Sequence, residues 1–376
     1  MFRERAAGYD ETNTFFQEDW DALKAAGFLK CLVPADLGGG GLSLPEYCRE
    51  IQRVAEYAPA TALAVNMHQY FVGMAAEMRR LGDNSLEWLL REVANGEILA
   101  AGHSETGNDM PVFLSTSRAE RVDGGYKIYG HKQFGSLSPV WTRLGLHAMD
   151  STSNPEAPMI VHAFMPRDTP GFTIKDTWNT LGMRATRSDD TIIDGAFVPD
   201  KYIGHVIPAG GADLFVLALF ASALSGIASV YLGIAHRAME LSVATARKRT
   251  SIAVSRPMAY HPEVQHLVAE MAMRLEAMDA QLEKVTNDWA NNVDHGGKWP
   301  LKLVAAKENI VRGSQEVVDM AMTISGGSGM FKGNELERLY RDVRAGGFHP
   351  ANTLLAHEIV GKIALGIDLG EQPRWG

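Results

Sequence analysis

Two cysteines among 376 residues, Cys31 and Cys48, are too few for a disulfide framework and suit a reducing compartment. Positive charge is also in short supply. With a net charge of -9, a nucleic-acid surface has no general electrostatic support. The opening "MFRERAAGYDETNTFF" lacks the apolar core of a secretory signal, so a cytoplasmic protein is expected. HExxH and CxxC are both absent, and "HRAMELS" and "HPEVQH" offer no convincing metal set, so no metal is expected. Dinucleotide fingerprints fail as well: "GGSGMFKG" is not GxGxxG, and it follows a helical pattern rather than a strand. There is no P-loop and no GxSxG nucleophile elbow. Disorder is a poor description of a chain that is 46% apolar and 22% charged.

One long uncharged run is present, Leu214 to Ala235, "LFVLALFASALSGIASVYLGIA". Its length would cross a bilayer. Alanine, glycine and serine dilute it and no basic cluster flanks it, so a helix buried within a bundle or subunit interface is the better expectation.

Three blocks separate by pattern. Residues 1–98 read as a helical domain: "TNTFFQEDWDALKAAGFL" is amphipathic, and a long helical stretch after "VPADLGGGGLS" is broken at Pro59 and Gly82. Residues 99–205 change character. "AERVDGGYKIYGHKQFG" sets strand-like residues around a "DGG" hairpin signal, and short β-rich runs follow, predicting an antiparallel β-domain. Residues 206–376 return to three- and four-residue apolar spacing over many turns, as in a four-helix bundle.

Five segments in this order resemble the acyl-CoA dehydrogenase superfamily: "LVPADLGGGGLSLPEY", "AAGHSETGND", "YKIYGHKQFGSLS", "WNTLGMRATRSDDTIIDGAFVP" and "AMTISGGSGMFKGNELERLYRDVRAG". The resemblance covers nearly the whole chain. It implies a flavin, FAD in the first instance, between the β-domain and the bundle, in a homodimer or homotetramer. On that pattern Ser104 and Glu105 lie along the isoalloxazine, Phe134 covers its face and Ser136 meets it near N5. Gly326, Gly327 and Gly329, with Thr323 and Arg249, match the elements that meet the diphosphate-adenosine half, often of a neighbouring subunit's cofactor. Arg184 and Thr186 shape the β-domain loop, and Arg338, Arg341 and Asp342 form a salt-bridging element.

The activity implied is α,β-dehydrogenation of an acyl-CoA or other acyl thioester, with an electron-transfer flavoprotein taking the electrons. That chemistry needs a base for the α proton. Many members carry a glutamate nine residues after the arginine corresponding to Arg341, and here that position is Pro350. The one carboxylate near the alternative position on an earlier helix is Glu240. His349 stands where the superfamily's two-component monooxygenases resemble "RDVRAGGFH". This implies a second possibility, oxygen chemistry on FMN or FADH2 delivered by a flavin reductase. A third is a flavin-fold binding protein without catalysis.

Overall fold

The computed structural model describes residues 2–253 and 255–371. An N-terminal layer of five helices comes first: α1 Phe2–Thr12, α2 Gln17–Ala25, α3 Leu44–Ala55, α4 Pro59–Arg80 and α5 Glu87–Ala94. Local chemistry sets their ends. Ser43 opens α3 with its backbone N–H donating to Glu46 Oε2 at 2.8 Å, closing a capping box around Pro45. Pro59 occupies the first turn of α4, where a missing N–H costs nothing, and Gly82 follows the helix with φ +96°.

Eight strands follow: β1 Leu99–Gly102, β2 Arg118–Val122, β3 Gly125–Gly135, β4 Arg143–Asp150, β5 Met159–Pro166, β6 Phe172–Lys175, β7 Asp189–Pro199 and β8 Ile203–Pro208. The "DGG" signal is the β2–β3 hairpin. Strand order is β6-β7-β3-β2-β4-β5-β8, with β1 paired to β4. The expected antiparallel domain is corrected here to a mixed sheet, because β1 enters alongside β4 in parallel, Leu99 to Gly102 against Arg143 to Leu146. Parallel pairing joins segments distant in sequence, and no hairpin signal announces it.

The C-terminal helices are α6 Leu214–Lys248, α7 Pro262–Ala290, α8 Trp299–Ser325, α9 Glu335–Arg344 and α10 Thr353–Leu365. The apolar run opens α6, and Asp213 caps it by accepting from Val216 N at 3.2 Å. Although α6 is long and apolar enough to span a membrane, 83% of its most apolar window is buried inside the protein. It packs against α3, α4, α7 and α8 at the centre of the molecule. α4 is buried along nearly its whole length between α6 and the sheet. Gly145 on β4 carries no side chain where the Phe71 ring of α4 packs; a Cβ there would stand 2.4 Å from the ring.

Candidate active site

Sheet, α4, α6 and the segment after α9 meet around a cavity of about 420 Å³. Leu63 and Met67 of α4 and Leu219, Phe220, Leu224 and Ile227 of α6 give it apolar walls. Its polar groups are few: Tyr70, His103, Ser104, Ser136, Trp178, Thr180, Thr186, Ser188 and His349, with Arg341 and Arg344. Among the described residues no carboxylate lines it.

Phe134, at the end of β3, lies at this cavity and is 54% exposed, with φ +56°. A bulky residue pays for that backbone conformation, which marks a position held for a purpose. Its ring meets the edge of Trp178 at 5.9 Å. Beneath it runs a chain of three buried hydroxyls. Thr186 Oγ1 donates to the Met183 carbonyl at 2.8 Å. Its one proton is then spent, so Ser188 must donate to it at 2.7 Å, and Ser136 must in turn donate to Ser188 at 2.7 Å. Ser136 is left able only to accept from whatever faces it in the cavity.

His349 follows α9 and lines the cavity with Pro350. Tyr231 of α6 lies 2.7 Å from its Nε2. Burial holds the Tyr231 hydroxyl well above the ordinary phenol range. Where that hydroxyl donates to Nε2, the imidazole proton lies on Nδ1. Desolvation pushes the His349 pKa down to about 3, with the Lys307 ammonium adding to the effect, so the ring is neutral at pH 7. Lys307 is itself buried, donating to the Ala351 carbonyl at 2.8 Å and to the His349 carbonyl at 3.4 Å. It thereby fixes the turn that presents the ring.

Two expected site residues lie elsewhere. Glu105 is turned inside the protein, away from the cavity. It accepts from Lys132 Nζ at 2.5 Å and from the Ser117 and Thr116 backbone N–H groups at 3.0 and 2.9 Å. Burial raises this carboxyl, but Lys132 and the hydrogen bonds outweigh it and hold it at about 2. Glu240 sits 13 residues beyond Ile227 on α6, roughly 20 Å along a helix at about 1.5 Å per residue. Its carboxylate pairs with the buried Arg237 at 2.5 Å, which also grips Glu335 of α9. That ion pair, buried at the arginine and exposed at the carboxylate, places Glu240 away from the residues that line the cavity.

The bundle-end residues form a second group, none of which lines the cavity. Arg249 donates to the Ser325 carbonyl at 2.7 Å, directly beside Gly326, and Thr323 caps back onto Asp319 O at 3.1 Å. Gly327 has open space where a side chain would stand, while Gly329 is packed against Ser325 and Met322. Arg184 ties its loop to the Asp10, Asn179 and Thr180 oxygens. Arg341 pairs with Asp10 at 2.6 Å and Glu337 at 2.7 Å, and Asp342 accepts from Met183 N at 2.6 Å. Tyr231, Lys307, His103 and Lys132 were not singled out from the sequence. Only the inward alternation of "YKIYGHKQFG" could have signalled Lys132.

A strained, exposed aromatic at an apolar cavity, with hydroxyls and cations among its lining, suits a ring system carrying polar edges and negative charge. A flavin fits that description. The acyl-CoA dehydrogenase N-terminal domain model matches residues 1–97, and the acyl-CoA dehydrogenase C-terminal domain model matches residues 225–353. Amino sugar nitrososynthase DnmZ of Streptomyces peucetius is 31% identical over 92% of this chain and 86% of its own length. The structure of KijD3 with FMN and a dTDP-amino-keto sugar superimposes with a TM-score of 0.85 at 28% identity, covering 100% of this chain and 92% of that one. Butyryl-CoA dehydrogenase from Megasphaera elsdenii shares the fold, with a TM-score of 0.85 at 18% identity over 97% and 95% of the two chains. The chain belongs to the acyl-CoA dehydrogenase superfamily of flavin-dependent oxidoreductases.

Proposed function

We propose that this protein is a two-component monooxygenase, which takes reduced flavin from a separate reductase and transfers oxygen to a small substrate with an apolar body. His349 carries the proposal. It faces a cavity without carboxylates, and its pKa of about 3 makes it a poor acceptor for the proton alpha to a thioester. Dehydrogenation of an acyl thioester, the first expectation from the resemblance, would have no competent base here. A neutral imidazole fixed with its proton on Nδ1 can instead donate a hydrogen bond where oxygen chemistry develops negative charge.

A bound reduced flavin supplies the electrons that activate dioxygen. The protein's part is to hold and screen. Phe134 and Trp178 would cover the face of such a ring and Ser104 and Ser136 would meet its edge, while α4 and α6 supply the apolar walls. The hydroxyl chain adds support. A reduced flavin would donate a hydrogen bond from its N5–H to Ser136 were that edge to face it, whereas an oxidised flavin has only a lone pair there. Arg249, Thr323 and the 326–329 glycines would serve the diphosphate half of a flavin held by a neighbouring copy, which FMN would leave unused.

Anaerobic titration with reduced and oxidised FMN and FAD tests this. One hydrogen bond gained or lost is about 0.5–1.5 kcal/mol, up to roughly tenfold in affinity. Reduced flavin should therefore bind several-fold or more tighter. Equal or inverted preference would sink the proposal.

A further inference from the structure

Four histidines stand in a row across the sheet. His147 of β4 is directly opposite His162 of β5, and His162 is directly opposite His205 of β8. β1 runs beside β4 with Gly102 against Leu146, so His103, one residue on, lies next to His147. Directly opposed residues project to the same face of a sheet. The ring centroids follow at 5.2 Å from His103 to His147, 6.1 Å to His162 and 6.4 Å to His205. At one end His103 lines the cavity, with the Tyr70 hydroxyl 3.1 Å from its Nδ1. At the other, His205 pairs with Asp213 at 2.6 Å, and both side chains are partly exposed.

The row is a costly thing to bury. His103, His147 and His162 are all inside the protein. Both ring nitrogens of His162, and Nδ1 of His147, have no hydrogen-bond partner. Apolar side chains would fill the same positions without that desolvation cost. Among the described residues no His, Cys, Asp or Glu group is arranged to hold a metal ion. What an imidazole does that leucine cannot is accept a proton on one nitrogen and release one from the other.

We propose that His103, His147, His162 and His205 form a proton relay between the cavity and solvent at Asp213, through rings that no hydrogen bond joins at rest and that must turn to pass a proton. The use of such a relay rests on the oxygen-transfer proposal, while the row itself does not. Anionic reduced flavin, dioxygen, substrate and one proton become oxidised flavin, oxygenated substrate and water. That proton must enter a cavity filled by flavin and substrate. Lys132 donates to the His147 carbonyl at 2.5 Å and pairs with Glu105; burial first, and the Lys132 charge second, keep the His147 ring neutral at rest. With a pKa of about 3, His103 carries the extra proton about one part in ten thousand at pH 7.

The test begins with the flavin-free, ¹⁵N-histidine-labelled protein, following exchange of the ring N–H protons with solvent by NMR. His68 is the control: it is equally buried, but off the row, between the Leu29 carbonyl and the Leu99 N–H. His205→Gln changes the partly exposed end and leaves the core untouched. It should slow ring exchange at His147 and His162 at least tenfold and leave His68 unchanged. Equal exchange in wild type and variant overturns the relay. In the flavin-loaded enzyme, H205Q should lower oxygenation at least fivefold, with recovery in imidazole buffer. Unchanged turnover with slowed ring exchange would overturn the relay's role in the reaction. Wild-type protein that keeps fast ring exchange but oxygenates nothing would instead remove the oxygen-transfer proposal.

Discussion

Lys132→Met puts the largest internal electrostatic claim at risk. Lys132 and Glu105 are both buried, 2.5 Å apart, and the ammonium also serves the His147 carbonyl at 2.5 Å. Burial lowers the lysine pKa to about 8 and pushes against the carboxylate, yet the pair is ionised at pH 7. Methionine keeps the length and removes the cation, leaving a buried carboxylate held only by neutral donors. Breaking a buried pair by removing one partner costs about 3–5 kcal/mol. At an unfolding entropy of about 2.1 cal/mol/K per residue, 1 kcal/mol shifts the midpoint of a chain this long by about 1.3 °C, so it should fall by roughly 4–6 °C.

The pH dependence has a definite sign. In the wild type, Glu105 has its folded pKa depressed to about 2, so its contribution is present above the ordinary carboxylate pKa and lost as pH falls toward 2. In K132M burial acts unopposed by the lysine, and the folded carboxyl binds a proton more readily than the unfolded one. The variant then gains stability relative to wild type as pH falls, and the gap at pH 5 should be narrower than at pH 7. Urea denaturation at both pH values measures this. A loss under about 1 kcal/mol, or a gap indifferent to pH, would refute the reasoning. The double variant E105Q/K132M should recover part of the loss, because no unpaired charge remains.

Other outcomes follow from the site. His349→Ala should cut oxygenation by about 10²–10⁴ with little change in thermal midpoint, and an unchanged rate would reduce "FHP" to a helix terminator. Tyr231→Phe removes the hydroxyl that sets the His349 tautomer and should cost about two- to tenfold in rate, read as turnover at saturating flavin. Thr186→Val frees Ser188 and Ser136 to reverse their hydroxyls, so the preference for reduced over oxidised flavin should shrink, while Thr186→Ser should keep it. Gly182→Ala would place a Cβ 2.4 Å from the Arg341 carbonyl, forcing the Met183 loop off α9. A loss of about 1–3 kcal/mol by denaturation, with weaker flavin binding, is expected.

Much of the fold was legible because its signals are local. The "DGG" turn, the breaks at Pro59 and Gly82 and the apolar spacing of the long helices all act within a few residues. The parallel entry of β1 was not legible, since nothing near Leu99 names Arg143 as its partner. Site legibility divided the same way. Ser104, Phe134, Ser136 and His349 were picked out and meet at one cavity. Glu105 was expected beside the ring and does not line the cavity; Lys132 and the Ser117 N–H hold it inside the protein. Tyr231 and His349 are 118 residues apart, so their contact was invisible in either segment. The histidine row was hidden for the same reason. Three of its members lie on β4, β5 and β8 and the fourth just after β1, and each, taken alone, reads as a scattered surface or packed residue.

The most direct test of the central claim is anaerobic mixing of flavin-loaded protein with a panel of acyl-CoA thioesters, following the oxidised-flavin absorbance. With a neutral, weakly basic His349 and no carboxylate in the cavity, no thioester should bleach the flavin, while the same protein with reduced flavin consumes dioxygen. Bleaching by any one of them would show α,β-dehydrogenation and contradict the oxygen-transfer account.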